Sequence, residues 1–202
     1  YVLACTIFAA YSKENGVAVL GLIGLIEWFF FRSRWINDRY GVLWAGLTWL
    51  AILGTSILLL VHLVHGWAGI NYHFENYRGY SFFDQIATQM VISWEYLRNI
   101  IFPRFSQLGP YHDGHIVYSW GNWLVTISTL AWVLIIGLAF WLKGDKKRPE
   151  MRLLGRYLLF GISWFWMAHQ IESTVIPLEL YFEHRNYIPA IGVYFFLVVA
   201  TY

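Results

Sequence analysis

Membrane-length apolar runs, broken by short charged turns, constrain this chain more than any other feature in it. Gly16–Phe31, Gly41–Val61, Trp123–Leu142 and Tyr157–Ile171 are four such runs, and Tyr1–Tyr11 and Ile191–Tyr202 read as parts of two more. At about 1.5 Å of rise per residue, ~20 residues cross a ~30 Å hydrocarbon core. Gly41–Val61 reaches that length, whereas Gly16–Phe31 and Tyr157–Ile171 need help from their flanks. Backbone facing lipid must satisfy its own hydrogen bonds, so such runs resolve into helices. The expected fold is all-α: a polytopic transmembrane helix bundle of about six spans, the first and last truncated, forming one domain over residues 1–202. Neither end is marked by a polar terminus or an initiator Met, so a segment of a longer protein is expected.

Composition agrees. The chain is 58% hydrophobic and only 13% charged, about half the charge of an average soluble domain. Its twelve Trp and fourteen Tyr suit aromatic belts at two membrane interfaces. A single cysteine, Cys5, excludes an intrachain disulfide.

Charge placement gives an orientation. Arg32, Arg34 and Arg39 crowd one turn, and Lys143, Lys146, Lys147, Arg148, Arg152 and Arg156 form a basic loop over Lys143–Arg156. Together they hold nine of the fourteen lysines and arginines, so both belong on the cytoplasmic side. Counting spans then puts Ser12–Asn15, the loop His62–Asn122 and Glu172–Pro189 on the opposite face. The parity holds only if the helix within that loop does not cross. That helix is Phe83–Phe102, with Ile86, Met90, Trp94, Leu97 and Ile101 at spacings of three or four and Asp84, Gln85, Gln89, Glu95 and Arg98 between them. The pattern predicts an amphipathic helix at the interface or packed on the bundle, N-capped by Asp84 and ended by Pro103; a tilted, polar-lined span is the competitor.

All the polar clusters with chemical potential therefore share one face. Glu172–Pro189, ESTVIPLELYFEHRNYIP, is the densest, with Glu172, Glu179, Glu183, His184, Arg185 and Tyr187. Glu179 and Glu183 are four apart and would repel on a helix unless a cation lay between them. Arg185 could serve as that cation, or could hold a phosphate bidentately. His169 and Glu172 approach from the preceding helix, and Pro177 and Pro189 are expected to break helices around a cavity. A solvated loop with ordinary caps is the plainer reading. Lys13 and Glu14 offer a lipid-phosphate clamp, against a snorkelling interface lysine. Arg98 offers phosphate or sugar recognition, against an i,i+3 pair with Glu95. His112, Asp113 and His115, with His62 and His65 elsewhere, suit a divalent metal, against hydrogen-bonded loop histidines. No zinc signature completes that set, so a divalent metal stays an open cofactor expectation. No Walker loop, dinucleotide fingerprint or nucleophile elbow occurs, and nothing supports nucleic-acid binding.

Three motifs carry a resemblance. Ala9–Gly16 reads AAYSKENG, Thr88–Pro103 reads TQMVISWEYLRNIIFP, and the third is the Glu172–Pro189 run itself. They are similar, in order and spacing, to segments of the bacterial TPR-repeat glycosyltransferase-like proteins related to the TMTC O-mannosyltransferases, which have a GT-C fold. The resemblance implies sugar transfer from a polyprenyl- or dolichyl-phosphate donor to a protein acceptor, on the extracytoplasmic face of a bacterial plasma membrane. It implies that Lys13, Arg185 and Arg98 bind the donor phosphate, with Glu14, Glu183 and His184 on the support or acceptor side. It also implies that the acidic base lies upstream of Tyr1 and that TPR repeats lie downstream of Tyr202. An O-antigen ligase or polymerase-like transferase is the competing enzyme. A transporter or membrane scaffold is the competing non-enzyme, and it predicts inverted repeats, of which none is visible.

Overall fold

A computed structural model describes residues 18–31, 79–103, 116–174, 180–181 and 183–202, with Cys5, Phe8, Gly16, Gly46, Leu50 and Asn76 as isolated positions. The chain divides into two compact units, Tyr1–Ile70 and Asn71–Tyr202. Among the described residues every regular element is helical. In the first unit, α1 spans Ala18–Ile26 and continues as a π-helical turn over Glu27–Phe31. In the second, α2 is Phe82–Ile101, α3 Trp123–Gly144, α4 Pro149–Thr174 and α5 Tyr187–Thr201, with a 3-10 turn at Glu183–Asn186 leading into α5.

Helix α3 is apolar on all sides. Its buried residues form one narrow stripe: Val125, Trp132 and Ala139 at a seven-residue repeat, with Leu142 three residues on. The other faces expose Leu130, Val133, Leu134, Phe140 and Trp141. A helix hydrophobic all round is a core helix or a membrane span, and 22% of the apolar window of α3 is buried. Among the described residues it is the one helix both long and apolar enough to cross a membrane; Ala18–Phe31 and Tyr187–Thr201 are shorter apolar helices.

The amphipathic helix lies within a residue of its expected bounds, but its start and its inward face differ from expectation. Ser81, not Asp84, is the N-cap. Ser81 Oγ accepts from the Asp84 backbone N–H at 3.1 Å, and the Asp84 carboxylate accepts from Ser81 N–H at 3.2 Å. This is a reciprocal capping box. Gly79, at φ +74°, makes the left-handed bend that precedes it. Removing the cap by Ser81→Ala should cost about 1 kcal/mol. Faster amide exchange confined to the first turn of α2 would register it, and unchanged protection there would refute it.

The stripe chosen by hydrophobicity sits at the edge of the packed face: Ile86, Met90, Trp94 and Leu97 are half-buried and Ile101 is exposed. The buried face is Gln85, Thr88, Gln89, Ile92, Ser93, Tyr96 and Ile100. Cross-element hydrogen bonds explain most of this polar core. Thr88 Oγ1 accepts from Tyr118 N–H at 2.8 Å, Gln89 Nε2 donates to Leu180 O at 2.9 Å, and Ser93 Oγ accepts from Trp132 Nε1–H at 2.8 Å. Gln85 is fully buried, and its amide has no partner among the described residues. So α2 is packed on the helices of its unit by a polar face, and the amphipathic expectation fixed its existence but not its rotation.

Two further expectations are corrected. The basic stretch 143–156 is not all loop: α3 runs through Gly144 and α4 begins at Pro149, which puts Arg152 and Arg156 on a helix. Pro189 does not break a helix. It is the third residue of α5, in the first turn, where no intrahelical bond needs its missing N–H. Pro177 lies outside the described residues.

Candidate functional site

The C-terminal end of α4 and the 180–181 segment converge on α2 through stacked rings. Tyr96 of α2 lies between His169 of α4, at 4.9 Å and 23°, and Tyr181, at 4.7 Å and 14°. His169 also touches Phe165 at 4.5 Å, and Phe165 stacks on Trp132 of α3 at 5.6 Å. Trp132 in turn meets Trp94 of α2 at 4.8 Å. This column joins three helices and the 180–181 segment. Such ring pairs contribute ~0.5–1.5 kcal/mol each beyond their burial.

Amide side chains fix the segment against α2. Asn99 Nδ2 donates to the Tyr181 hydroxyl at 2.7 Å, and Asn186 Nδ2 donates to Tyr96 O at 3.3 Å. From α5, the Tyr194 hydroxyl donates to Ile100 O at 2.7 Å. The 3-10 turn is thereby held at the end of the helix group, with Arg185 buried in it at 7% exposure. Arg185 lies near enough to His169 for its charge to act on the ring.

His169 is itself 4% exposed. Its Nδ1 is 3.0 Å from Phe165 O. A carbonyl only accepts, so Nδ1 carries a hydrogen and donates. The Nε2 atom has no hydrogen-bond partner among the described residues, and neither does Asn186 Oδ1. Asn186 neighbours the ring, but no hydrogen bond of ordinary geometry joins them. Buried polar atoms left in this state cost roughly 1–3 kcal/mol each and are where a water or a polar ligand group gains most.

An apolar cleft of about 180 Å³ opens beside the column. Leu97 and Ile101 of α2, Ile162 and Phe165 of α4, and Val193 and Leu197 of α5 line it. Phe165 is thus both a wall of the cleft and a neighbour of His169.

Searches of protein-family models, curated proteins and solved structures find no match to this chain.

Of the residues singled out from the sequence, the structure brings Arg185 and His169 together and buries both. Glu172 is on the last turn of α4, and Glu183 and His184 are in the 3-10 turn beside Arg185. Tyr187 opens α5 with a ring 78% exposed, so it stands outside the buried group. Arg98 is exposed, and its Nε and Nη2 both lie 3.4 Å from Asn99 Oδ1. Through Asn99, which also bonds Tyr181, it is linked to the ring stack. Lys13, Glu14, Glu179, His62, His65, His112, Asp113 and His115 lie outside the described residues. Among the described residues no group of three His, Cys, Asp or Glu side chains could hold a metal. Sequence reasoning did not assign Tyr181, Asn99 or Asn186. Their only signal is that aromatic and amide residues flank the ionisable ones.

Proposed function

We propose that this chain is the membrane portion of a multi-pass glycosyltransferase of GT-C type. It takes its sugar from a polyprenyl-phosphate donor and passes it to a protein acceptor on the extracytoplasmic face. The observation that carries this reading is the buried Arg185 guanidinium beside His169; the Nε2 of His169 and Oδ1 of Asn186, unpartnered among the described residues, are acceptors, which suit the hydroxyls of the sugar and not the phosphate. A guanidinium presents paired N–H donors that match a phosphate. In a site of low dielectric its attraction to the leaving phosphate is strengthened. The apolar cleft against Phe165 supports a hydrocarbon-bearing donor rather than a free nucleotide sugar. The exposed apolar α3 supports placement in a bilayer, which is how such a donor arrives. In this reading Lys13 and Arg98 assist the phosphate, and Glu14, Glu172, Glu179, Glu183 and His184 support the site or face the acceptor.

The test is binding. Purified chain in nanodiscs should retain a polyprenyl-phosphate hexose well above the matching polyprenyl alcohol, which has the same tail and no phosphate. Equal retention of the two would refute the phosphate site.

A further inference from the structure

The turn that joins α3 to α4 concentrates positive charge on one compact surface. Lys143, Lys146, Lys147, Arg148, Arg152 and Arg156 are all exposed there. Asp145, the C-cap of α3, accepts from the backbone N–H of Lys147 at 2.9 Å and of Arg148 at 3.2 Å. Its carboxylate is thus engaged in shaping the turn. Gly155 lets α4 close on the end of α3: a Cβ there would collide with the Lys143 backbone nitrogen and lie 2.7 Å from Ala139 O. That crossing sets the cations of both helices side by side. Apolar surface adjoins them, with Trp141 71% and Leu153 46% exposed. The Lys143 ammonium is 5.9 Å from the centre of the Phe140 ring, at the boundary of the two surfaces.

We propose that this turn binds the headgroup phosphates of anionic phospholipids in the leaflet where α3 ends. The proposal rests on α3 crossing a bilayer. It concerns the opposite end of α4 from the donor site. A juxtamembrane cluster of four or more Lys and Arg gains about 1 kcal/mol per cation near an anionic surface. Topology alone requires only an excess of charge near the span, not a folded surface that presents it. A soluble polyanion would leave Trp141 and Leu153 uncovered, whereas a lipid covers them with its chains as its phosphate meets the cations.

The experiment uses the purified chain in nanodiscs of equal phosphatidylglycerol and phosphatidylcholine, with native mass spectrometry counting the lipids retained. The wild type should retain phosphatidylglycerol preferentially. The double variant Lys146→Gln/Lys147→Gln should weaken that preference about 30-fold, and Lys146→Arg/Lys147→Arg should keep it. Acetylation of the purified wild type should reproduce the glutamine result, which separates headgroup binding from any effect of charge on insertion. Equal retention of both lipids by the wild type, or full preference in the glutamine variant, overturns the proposal. Displacement of the lipid by millimolar inorganic phosphate also overturns it, by making the turn a free-anion site. A chain that stays outside the nanodiscs overturns both the proposal and the spanning of α3.

Discussion

Arg185→Ala should weaken binding of a polyprenyl-phosphate hexose by about 100-fold, and Arg185→Lys should recover part of the loss. The size follows from burial. Arg185 is 7% exposed, and truncating one partner of a buried, charge-assisted pair costs about 2–5 kcal/mol, each 1.4 kcal/mol being tenfold. Lysine restores the charge but not the paired donors, so its recovery is incomplete. A purely structural arginine would behave differently. The 3-10 turn is also held by Asn186 on Tyr96 O, and the adjoining 180–181 segment by Asn99 on Tyr181 and Gln89 on Leu180 O. Those bonds do not involve Arg185. The alanine variant should therefore lose phosphate-dependent binding while keeping its retention of the matching alcohol. If retention of the two falls together, and lysine restores neither, the arginine is a packing residue and the phosphate reading fails.

The contrast between what was and was not legible follows the range of the interactions. Helix existence depends on local pattern. The apolar run Trp123–Leu142 predicts a membrane-length helix and α3 is Trp123–Gly144; the periodicity of Phe83–Phe102 predicts a helix and α2 is Phe82–Ile101. Pro103 marks the end of α2 in the sequence itself, whereas the expected N-cap, Asp84, is displaced by Ser81. The rotation of α2 was not legible, because Thr88, Gln89 and Ser93 look like surface residues until their partners are known. Those partners are Tyr118, Leu180 and Trp132, tens of residues away. Arg185 and His169 stood out because ionisable groups are rare in a chain so apolar. Tyr96, Asn99, Tyr181 and Asn186 did not stand out. They act as a pair of long-range couples, 82 residues apart for Asn99 and Tyr181 and 90 for Tyr96 and Asn186, and no periodicity within a window reports that. The basic turn is legible as charge but not as partly helical, since Arg152 and Arg156 suit an exposed helix face as well as they suit a linker.

Gly192→Val should destabilise the second unit by about 3 kcal/mol, while Gly137→Val should change little. Both glycines are helical, so propensity alone cannot separate them. Their surroundings can. A Cβ at Gly192 would lie 2.7 Å from Trp164 Cβ, 2.8 Å from Cδ1 and 2.9 Å from Cγ. The Trp164 ring cannot swing aside freely, because its Nε1 donates to Ile188 O at 2.8 Å. On the facing helix a Cβ at Gly161 would lie 2.9 Å from Gly192 O. Helices α4 and α5 thus cross with their backbones nearly in contact, as small residues allow in lipid-embedded pairs. Overpacking such a contact costs about 1–3 kcal/mol and occasionally more, and the pinned tryptophan puts valine at the upper end. Gly137, on the exposed side of α3, has nothing within 4 Å of its Cβ position. For a chain of this size the Gly192 loss corresponds to a drop of roughly 6–12 °C in the thermal transition, readable from tryptophan fluorescence. The same crossing fixes the spacing between His169, near the end of α4, and Arg185, just before α5. Gly192→Val should therefore weaken lipid-phosphate binding in proportion to its destabilisation, unlike Arg185→Ala. A Gly192→Val protein that melts with the wild type, or a Gly137→Val protein that melts equally early, would refute the glycine contact as the element that sets this geometry.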